Sequence, residues 1–303
     1  MVSELLDNLD ISTDIIHDPF LTKSNISLSV LRLDKIDPEI SGNKIFKLWH
    51  YLYEASGKHK KVITFGGPYS NHLAATSAAC NKLHIDSIGI VRGQMPAIFP
   101  GTLSFCKKNG MQLLFVSREE YNKKENLSFG IRLKEEFGDH VLVPEGGFGP
   151  MGLLGAQEIV QHYHPNTYTH ICCPVGTGTT IAGLMKASDN KSTILGFSAL
   201  KGLNDFKERM NVLLDPDIRK NYSLNNDYHF GGFAKSTSEL FEWMNSFYRT
   251  HKIPTDFVYT GKMMFGVYDL IKNHYFKKGS SILCIHTGGL QGNNSLPENT
   301  LCF

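Results

Sequence analysis

YTHICCPVGTGTTIAGLMKA, residues 168–187, is the stretch that decides the fold. It starts as a short apolar run, passes through a loop with glycines at 176 and 178, and continues with apolar residues at helical spacing. This order predicts a buried strand, a tight turn and a helix. HVLVPEGGFGPMGLLGAQEIVQ (140–161) repeats the pattern, and KKVITFGG (60–67) is another apolar strand that ends in glycine. Strands alternating with helices indicate an α/β protein with doubly wound parallel sheets.

The size of the chain allows two domains. It has 303 residues, of which 41% are hydrophobic and 20% charged, and its mean hydropathy is near zero. These values are typical of a globular protein with more than one core. We predict a smaller α/β domain at residues 50–145 and a larger domain formed by residues 1–49 and 146–303.

Composition and charge exclude several classes of partner. A formal net charge of +2 gives no field that would attract nucleic acid. No run of about 18 apolar residues suggests a membrane span, and MVSELLDNLDISTD at the start lacks the features of a signal peptide. The six cysteines include no CxxC and no zinc-like spacing, so we expect reduced thiols in a cytoplasmic protein and no metal site.

Four loops rich in glycine or capping residues lie where predicted strands end and helices begin. They are Gly66–Asn71, Gly146–Gly155, Gly176–Thr180 and Thr287–Gly289. In parallel sheets, ligands bind at these ends of the strands. The four loops together therefore predict one shared crevice.

The loop PVGTGTTIAG (174–183) has the features of a phosphate site. Its glycines let the backbone approach an anion, and its threonines and the following helix N-terminus supply donors. A P-loop would need Gly-Lys-Ser/Thr, and a dinucleotide fingerprint would need a glycine where Ile181 stands. A phosphate monoester fits better than a nucleotide, and a tight turn with a threonine cap is the structural alternative.

SGNKIFKL (41–48) places Lys44 at the start of a predicted helix. A reactive lysine combined with a phosphate loop suggests pyridoxal 5′-phosphate, which needs an amine for its aldehyde and an anion site for its phosphate. A second positive charge near Lys44 would lower its pKa, and Lys47 lies one turn away. The alternative is an ordinary exposed lysine at a helix start.

Six segments, taken in order, resemble the family of D-cysteine desulfhydrases and 1-aminocyclopropane-1-carboxylate (ACC) deaminases. They are SGNKIFKL (41–48), TFGGPYSNHLAATSAA (64–79), GGFGPMGLLG (146–155), GTGTTIAG (176–183), DFVYTGKMMFG (256–266) and CIHTGG (284–289). The resemblance implies the tryptophan-synthase-β-like fold, known as pyridoxal-phosphate fold type II. In that fold the cofactor lies in the cleft between two doubly wound domains. It also implies a small amino-acid substrate and a homodimer.

The resemblance assigns roles residue by residue. It makes Lys44 the Schiff-base lysine and Lys47 its helper, and it places Ser70 by the substrate carboxylate. Tyr259 becomes an acid/base candidate, although a packed core tyrosine is the alternative. The residues it assigns to the cofactor, besides Lys44, are Asn71, Thr177, Gly178, Thr179, Thr180, Thr260 and Thr287.

Thr260 and Thr287 favour one reaction within this family. ACC deaminases resemble this chain elsewhere but carry glutamate and leucine at these places, and the desulfhydrases carry hydroxyl residues. A carboxylate keeps the cofactor's ring nitrogen protonated, whereas a neutral hydroxyl leaves a weaker electron sink that suits β-elimination of a good leaving group. We therefore expect a D-cysteine desulfhydrase-like lyase. An ACC deaminase, or a cofactor-binding protein with little turnover, are the alternatives.

The chain departs from the family pattern at three places. Ser41 replaces a glycine, and Phe46 replaces an arginine and is interpreted as a core residue. The segment DYHFGGFAKS (227–236) stands where the family has a second active-site tyrosine. Tyr228, His229 and Phe233 are the three candidates to fill that place.

Overall fold

The computed structural model describes residues 9–188, 192–216, 218 and 222–303. Its strands are β1 (Thr13–Ile15), β2 (Ser27–Arg32), β3 (Lys61–Gly66), β4 (Ser87–Arg92), β5 (Gln112–Val116), β6 (His140–Val143), β7 (His170–Val175), β8 (Thr193–Ser198), β9 (Tyr222–Asn225) and β10 (Ser281–His286). Its helices are α1 (Pro19–Ser24), α2 (Lys44–Gly57), α3 (Asn71–Lys82), α4 (Gly101–Lys108), α5 (Arg118–Tyr121), α6 (Leu127–Phe137), α7 (Pro150–Gln157), α8 (Thr179–Ala187), α9 (Phe206–Leu213), α10 (Ser238–His251) and α11 (Thr260–Lys272). The predicted α/β class with parallel sheets is confirmed.

The larger sheet has the strand order β1-β2-β10-β7-β8-β9 within the described residues. Only its edge strand β1 runs antiparallel, with Thr13 opposite Leu31. The central strands are apolar over almost their whole length, and Cys172 of β7 lies in register with Cys284 of β10. Continuous apolar runs are typical of parallel strands covered on both faces.

The smaller sheet has the order β5-β4-β3-β6, and all its neighbours are parallel. These four strands lie within residues 50–145, the range predicted for the smaller domain. Helix α2 crosses the predicted boundary at residue 50 and contacts both β6 and α7. The division into domains therefore stays a prediction.

One hydrophobic cluster joins the two sheets. Leu48 of α2, Val62 of β3 and Leu283 of β10 all belong to it, and each is fully buried. Phe46 also belongs to it, which confirms that this residue is part of the core. The first turn of α2, which begins at Lys44, is thus fixed between the sheets.

Two segments contain structure that the sequence did not indicate. The polar stretch from about 201 to 235 includes α9 and β9, and the irregular start includes β1 and α1. Both extra strands lie at the edges of the larger sheet. No helix among the described residues combines the length and the apolar character that crossing a bilayer requires.

Candidate active site

A cavity lies where the strands of both sheets end. It is lined by Asn43, Lys44, Lys47, Asn71, Gly146, Pro174, Gly176, Thr177, Gly178, Thr180, Ile181, Tyr259, Thr287, Gly288 and Gly289. These residues follow β2, β3, β6, β7 and β10, and Tyr259 directly precedes α11. All four loops that the sequence predicted to share a crevice contribute to this cavity.

Gly42 brings the turn before Lys44 into close contact with the loop that follows β10. Its φ is +77°, and a Cβ atom built on it would lie 2.0 Å from the carbonyl oxygen of Thr287. The amide of Asn43 donates to that same carbonyl at 3.2 Å. Only glycine tolerates both this conformation and this approach. The position of the Lys44 backbone is therefore set by a contact between two loops.

The amine of Lys44 faces the cavity. Its Nζ donates to Oδ1 of Asn43 at 2.7 Å, and Nδ2 of Asn43 donates to Oγ1 of Thr180 at 2.6 Å. Burial lowers the pKa of Lys44 to about 8, although the charge of Asp256 acts in the opposite direction. A substantial fraction of this lysine is thus neutral near physiological pH, as a nucleophile requires.

Lys47 is a second buried amine beside the phosphate loop. Its side chain is 3% exposed, and its Nζ donates to Oγ1 of Thr177 at 3.4 Å. Burial and then the charge of Lys44 lower the pKa of Lys47 well below its ordinary value. Among the described residues, neither lysine has a carboxylate within ion-pair distance, so an anion would complete the charge balance of the cavity.

The predicted phosphate loop has the geometry of an anion cradle. Gly178 has a φ of +91° directly before α8, and a Cβ there would lie 2.7 Å from Cε of Met210. Oγ1 of Thr177 lies 3.1 Å from Oγ1 of Thr179. The free N–H groups at the start of α8 add donors. Thr177, Gly178 and Thr180 line the cavity, whereas Thr179 is fully buried behind them.

Asn71 and Ser70 begin helix α3. Nδ2 of Asn71 donates to the carbonyl of Gly289 at 3.3 Å, and its Oδ1 accepts from Gln291 at 2.9 Å. Asn71 therefore ties the smaller sheet to the loop after β10, and it lines the cavity. Ser70 is half-buried and caps α3, since its Oγ accepts from the amide of Leu73 at 3.3 Å. It does not line the cavity.

A buried carboxylate that the sequence did not indicate organises Tyr259 and Thr260. Asp256 is fully buried, and its Oδ2 accepts from the amides of Val258 and Tyr259 at 3.0 and 2.9 Å. Its Oδ1 accepts from the amide and the hydroxyl of Thr260 at 2.8 and 2.7 Å. Burial raises the pKa of Asp256 and the hydrogen bonds oppose this rise. A carboxylate that accepts four hydrogen bonds and donates none is typically ionised.

Tyr259 lines the cavity, and Thr260 does not. A Cβ built on Gly176 would lie 3.2 Å from the Tyr259 hydroxyl, so this phenol reaches the end of β7. Burial and then the Asp256 carboxylate raise the pKa of Tyr259 well above its ordinary value, which keeps the phenol protonated. The Thr260 hydroxyl donates to the Asp256 carboxylate and accepts from the Asp256 amide at 2.8 Å, so its proton is already used in a hydrogen bond to Asp256.

Thr287 is held from behind by a buried charge network. Nε2–H of the preceding His286 donates to the carbonyl of Pro254 at 2.7 Å, and Nδ1 accepts from the amide of Gly288 at 3.2 Å. Asp34 lies 3.3 Å from Nδ1 and pairs with Arg32 through two hydrogen bonds. These contacts fix the loop that carries Thr287.

His72 is a buried histidine whose protonation can be deduced. The hydroxyl of Thr64 donates to the carbonyl of Val143 at 2.9 Å, so Nε2–H of His72 donates to that hydroxyl at 2.9 Å. Its Nδ1 has no hydrogen-bond partner among the described residues. Burial, then the charges of Lys47 and Lys44, lower the pKa of His72 well below its ordinary value. His72 is therefore a neutral group close to both lysines.

The residues present fit pyridoxal phosphate. The cavity is lined by Lys44, whose amine has a lowered pKa, and by the threonine-rich start of α8 with Lys47 beside it. The aldehyde of the cofactor requires such an amine, and its phosphate requires such an anion site. A family model described as pyridoxal-phosphate dependent enzyme matches residues 11–288. The chain belongs to the pyridoxal-phosphate dependent enzyme family. Pyridoxal phosphate is the cofactor of this family, so the predicted cofactor is confirmed.

Comparison with individual relatives identifies a smaller group within this family. The chain is 31% identical to a mitochondrial bifunctional D-cysteine desulfhydrase/1-aminocyclopropane-1-carboxylate deaminase of Arabidopsis thaliana, over 88% of this chain and 73% of that protein. A crystal structure of an ACC deaminase homologue superposes with a TM-score of 0.77 and 25% identity, and the match covers 96% of this chain and 95% of that one. The predicted resemblance to this family is confirmed.

The fold extends to more distant members. Serine racemase from Dictyostelium discoideum has 14% identity and a TM-score of 0.66, with 95% of this chain and 96% of that chain covered. At this identity the likeness shows the fold alone. It confirms the predicted fold type II. The roles of individual site residues rest on the geometry described above and stay predictions.

Proposed function

We propose that the protein is a pyridoxal-phosphate-dependent lyase that removes a β-substituent from a small amino acid. With D-cysteine the products are pyruvate, ammonia and hydrogen sulfide. The observation that carries the proposal is the position of Lys44. Its amine, with a pKa of about 8, lines the same cavity as the threonine loop and Tyr259. The name of the Arabidopsis thaliana relative includes this activity and supports it.

The chain's residues divide the task of holding the cofactor. When bound, pyridoxal phosphate supplies an aldehyde for an amine and a ring that withdraws electrons from the substrate's α-carbon. Lys44 would carry the aldehyde end, and Lys47 with Thr177 and Thr180 would hold the phosphate. Asn71 and Thr287, on the opposite loops, would hold the ring. Thr179 and Thr260 support this arrangement from behind, because both are fully buried.

Two groups of the site would act on the substrate's α-proton and on its leaving group. Lys44 would accept the proton from the α-carbon, because its lowered pKa leaves it partly neutral. Tyr259 keeps its proton because its pKa is raised, so it would act as a hydrogen-bond donor to the departing group without transferring the proton. The β-substituent leaves with its bonding electrons, and the remaining three-carbon unit takes up water to give pyruvate and ammonia. Ser70, which precedes the cavity-lining Asn71, is the proposed contact for the substrate carboxylate.

ACC deamination is the second candidate function, and the contact between Thr260 and Asp256 supports it. The Thr260 hydroxyl is neutral, which suits β-elimination. However, it donates its proton to a buried carboxylate at 2.7 Å, so a negative charge lies one hydrogen bond behind it. A carboxylate close to the ring strengthens the electron sink that ring opening needs. The solved homologue bears the ACC deaminase name.

An amino-acid panel with visible spectra tests the proposal. The purified protein, supplied with pyridoxal phosphate, is mixed with D-cysteine, L-cysteine, β-chloro-D-alanine and ACC. We expect the absorbance of bound cofactor and release of pyruvate from D-cysteine and β-chloro-D-alanine. Release of α-ketobutyrate from ACC in preference would establish the second candidate instead. A coloured protein that releases no keto acid from any of them would contradict both and leave a cofactor-binding protein.

The cellular setting is also proposed. All six cysteines are free, and five of them are buried, which suits a reducing compartment such as the cytoplasm. A homodimer is expected from the family resemblance. Light scattering at micromolar concentration should give twice the monomer mass of 33.9 kDa, and a monomer mass would contradict it.

A further inference from the structure

The segment 227–236 stands where the family resemblance leads one to expect a second active-site tyrosine. Of its three candidates, Tyr228 is committed elsewhere, because its hydroxyl donates to Asp269 at 2.8 Å and its ring packs against Gly266. His229 closes a local turn, since its Nδ1 accepts from the amide of Gly231 at 2.9 Å. Phe233 remains. Its ring lies against that of Tyr259, with centroids 6.0 Å apart and the planes inclined at 68°.

The loop that carries Phe233 has an unusual backbone conformation. Phe230, Gly231, Gly232 and Ala234 all have positive φ values, between 50° and 119°. Lys262, 1% exposed, donates from Nζ to the carbonyls of His229 and Gly232, both at 2.8 Å. The ring of Phe230 packs perpendicular to that of Phe265 at 5.0 Å. A buried ammonium and a packed ring on either side therefore fix a loop with an unusual backbone.

Phe233 places an apolar ring beside Tyr259, next to the cavity, without being one of the lining residues itself. Phe233 is 50% exposed, although its ring touches a residue that lines the cavity. A phenylalanine donates and accepts no proton, so Tyr259 is the only phenol among the lining residues that the structure describes. The amines and the threonines that line the site belong to α2, to the loop after β7 with the start of α8, and to the loop after β10. A substrate side chain that reaches Phe233 therefore meets hydrocarbon, which favours apolar over charged groups.

We infer that Phe233 is a specificity-determining residue, and that it selects amino acids with an apolar or thiol β-substituent over those with a charged one. This inference rests on the proposed lyase function. It deepens that function by naming the substrate class: cysteine and its S-alkyl derivatives, as opposed to O-phosphoserine.

The test compares substrates that differ only in the β-substituent. We measure kcat/KM for S-methylcysteine and for O-phosphoserine, each as both enantiomers, with the wild-type protein and with Phe233→Ala and Phe233→Tyr. The wild type should prefer S-methylcysteine. Phe233→Ala should reduce that preference by about tenfold, because one apolar contact of this size is lost. Phe233→Tyr should raise the relative rate with O-phosphoserine.

Binding without turnover gives a second readout. Norleucine and aspartate have no β-leaving group, so calorimetry reports their affinities alone. Phe233→Ala should weaken norleucine binding several-fold and leave aspartate unchanged. Tyr275→Ala is the matched control, because Tyr275 is also half-exposed, at 52%, and packs edge-on against one ring, that of Phe276. It should change neither ratio.

The outcomes separate the inference from the proposed function. If cofactor absorbance and pyruvate release from β-chloro-D-alanine persist in Phe233→Ala while both selectivity ratios stay at the wild-type values, the inference is overturned and the lyase stands. If the wild type releases no keto acid from any substrate, the proposed function fails and the inference fails with it. A drop in the ratios with Phe233→Ala but not with Tyr275→Ala supports the inference.

Discussion

The two sides of the candidate active site are held in place in different ways. The loops that follow β2 and β10 interlock through their backbones, as the approach of Gly42 to the Thr287 carbonyl shows. The loop at 229–233 is instead held through side chains, chiefly the Lys262 amine. We call the first arrangement the rigid side, because a Cβ at Gly42 would clash with backbone, and the second the adjustable side, because Phe233 is half-exposed. The proposed contacts to the cofactor lie mainly on the rigid side, and the proposed selectivity for substrate lies on the adjustable side.

Gly42→Ala should be the most damaging change on the rigid side. The added Cβ would lie 2.0 Å from the Thr287 carbonyl oxygen, and the φ of +77° is strained for alanine. We expect a loss of about 3–5 kcal/mol in the free energy of unfolding, together with loss of cofactor binding. Urea denaturation measures the first and visible absorbance the second.

Gly57→Ala is the control for that change. Gly57 ends α2, and a Cβ built on it meets nothing within 4 Å. Alanine there should change the stability by less than about 1 kcal/mol, in the stabilising direction. If both variants were equally stable, the interlocked backbone would not be what fixes Lys44.

The pH dependence of stability should reveal the lowered pKa of the half-buried Lys44. Its folded pKa is about 8, below its ordinary value of 10.5. Between these pH values the unfolded chain binds a proton that the folded protein does not, so the free energy of unfolding rises with pH. The stability of the cofactor-free protein relative to Lys44→Met should therefore grow by about 1–3 kcal/mol across this range. Urea titrations at pH 7, 8, 9 and 10 measure the difference, and a constant difference would contradict the burial of the amine.

Lys262→Met makes the same comparison on the adjustable side. Burial lowers the pKa of Lys262 to about 8 as well, against an opposing effect of Asp256. The wild type should gain stability over this variant across the same pH range, for the same reason. At every pH the variant also lacks the two hydrogen bonds from Lys262 to loop carbonyls, so the selectivity assigned to Phe233 should fall in this variant.

Two helix caps of equal geometry provide the mildest test. Ser70 caps α3 on the rigid side, and Thr237 caps α10 just after the adjustable loop, each accepting from an amide at 3.3 Å. Either residue replaced by alanine should cost about 1 kcal/mol. Only Ser70→Ala should also raise KM, if Ser70 contacts the substrate carboxylate. An equal KM in the two variants would reduce Ser70 to a structural cap.

The fold and the site could be predicted from the sequence only where the signals are local. The central strands and the start of α2 at Lys44 were predictable, because apolar runs, glycines and caps are local signals. The edge strands β1 and β9 were not, since segments of only three or four residues become strands by pairing with a neighbour. The bonds from Asp256 to Thr260 and from Lys262 to its loop depend on how side chains meet after folding. Lys44, Asn71 and Tyr259 were found from motifs, whereas Asp256 and His72 had no signal of their own.

Chemical trapping of the cofactor tests whether Lys44 is the residue that carries it. Borohydride converts a lysine-bound aldehyde into a stable secondary amine, which peptide mapping by mass spectrometry locates. With pyridoxal phosphate bound, we expect the label on Lys44, and we expect none at any lysine of Lys44→Ala. A label on Lys47 or Lys262, or an unlabelled wild-type protein that shows the absorbance of bound cofactor, would contradict this assignment.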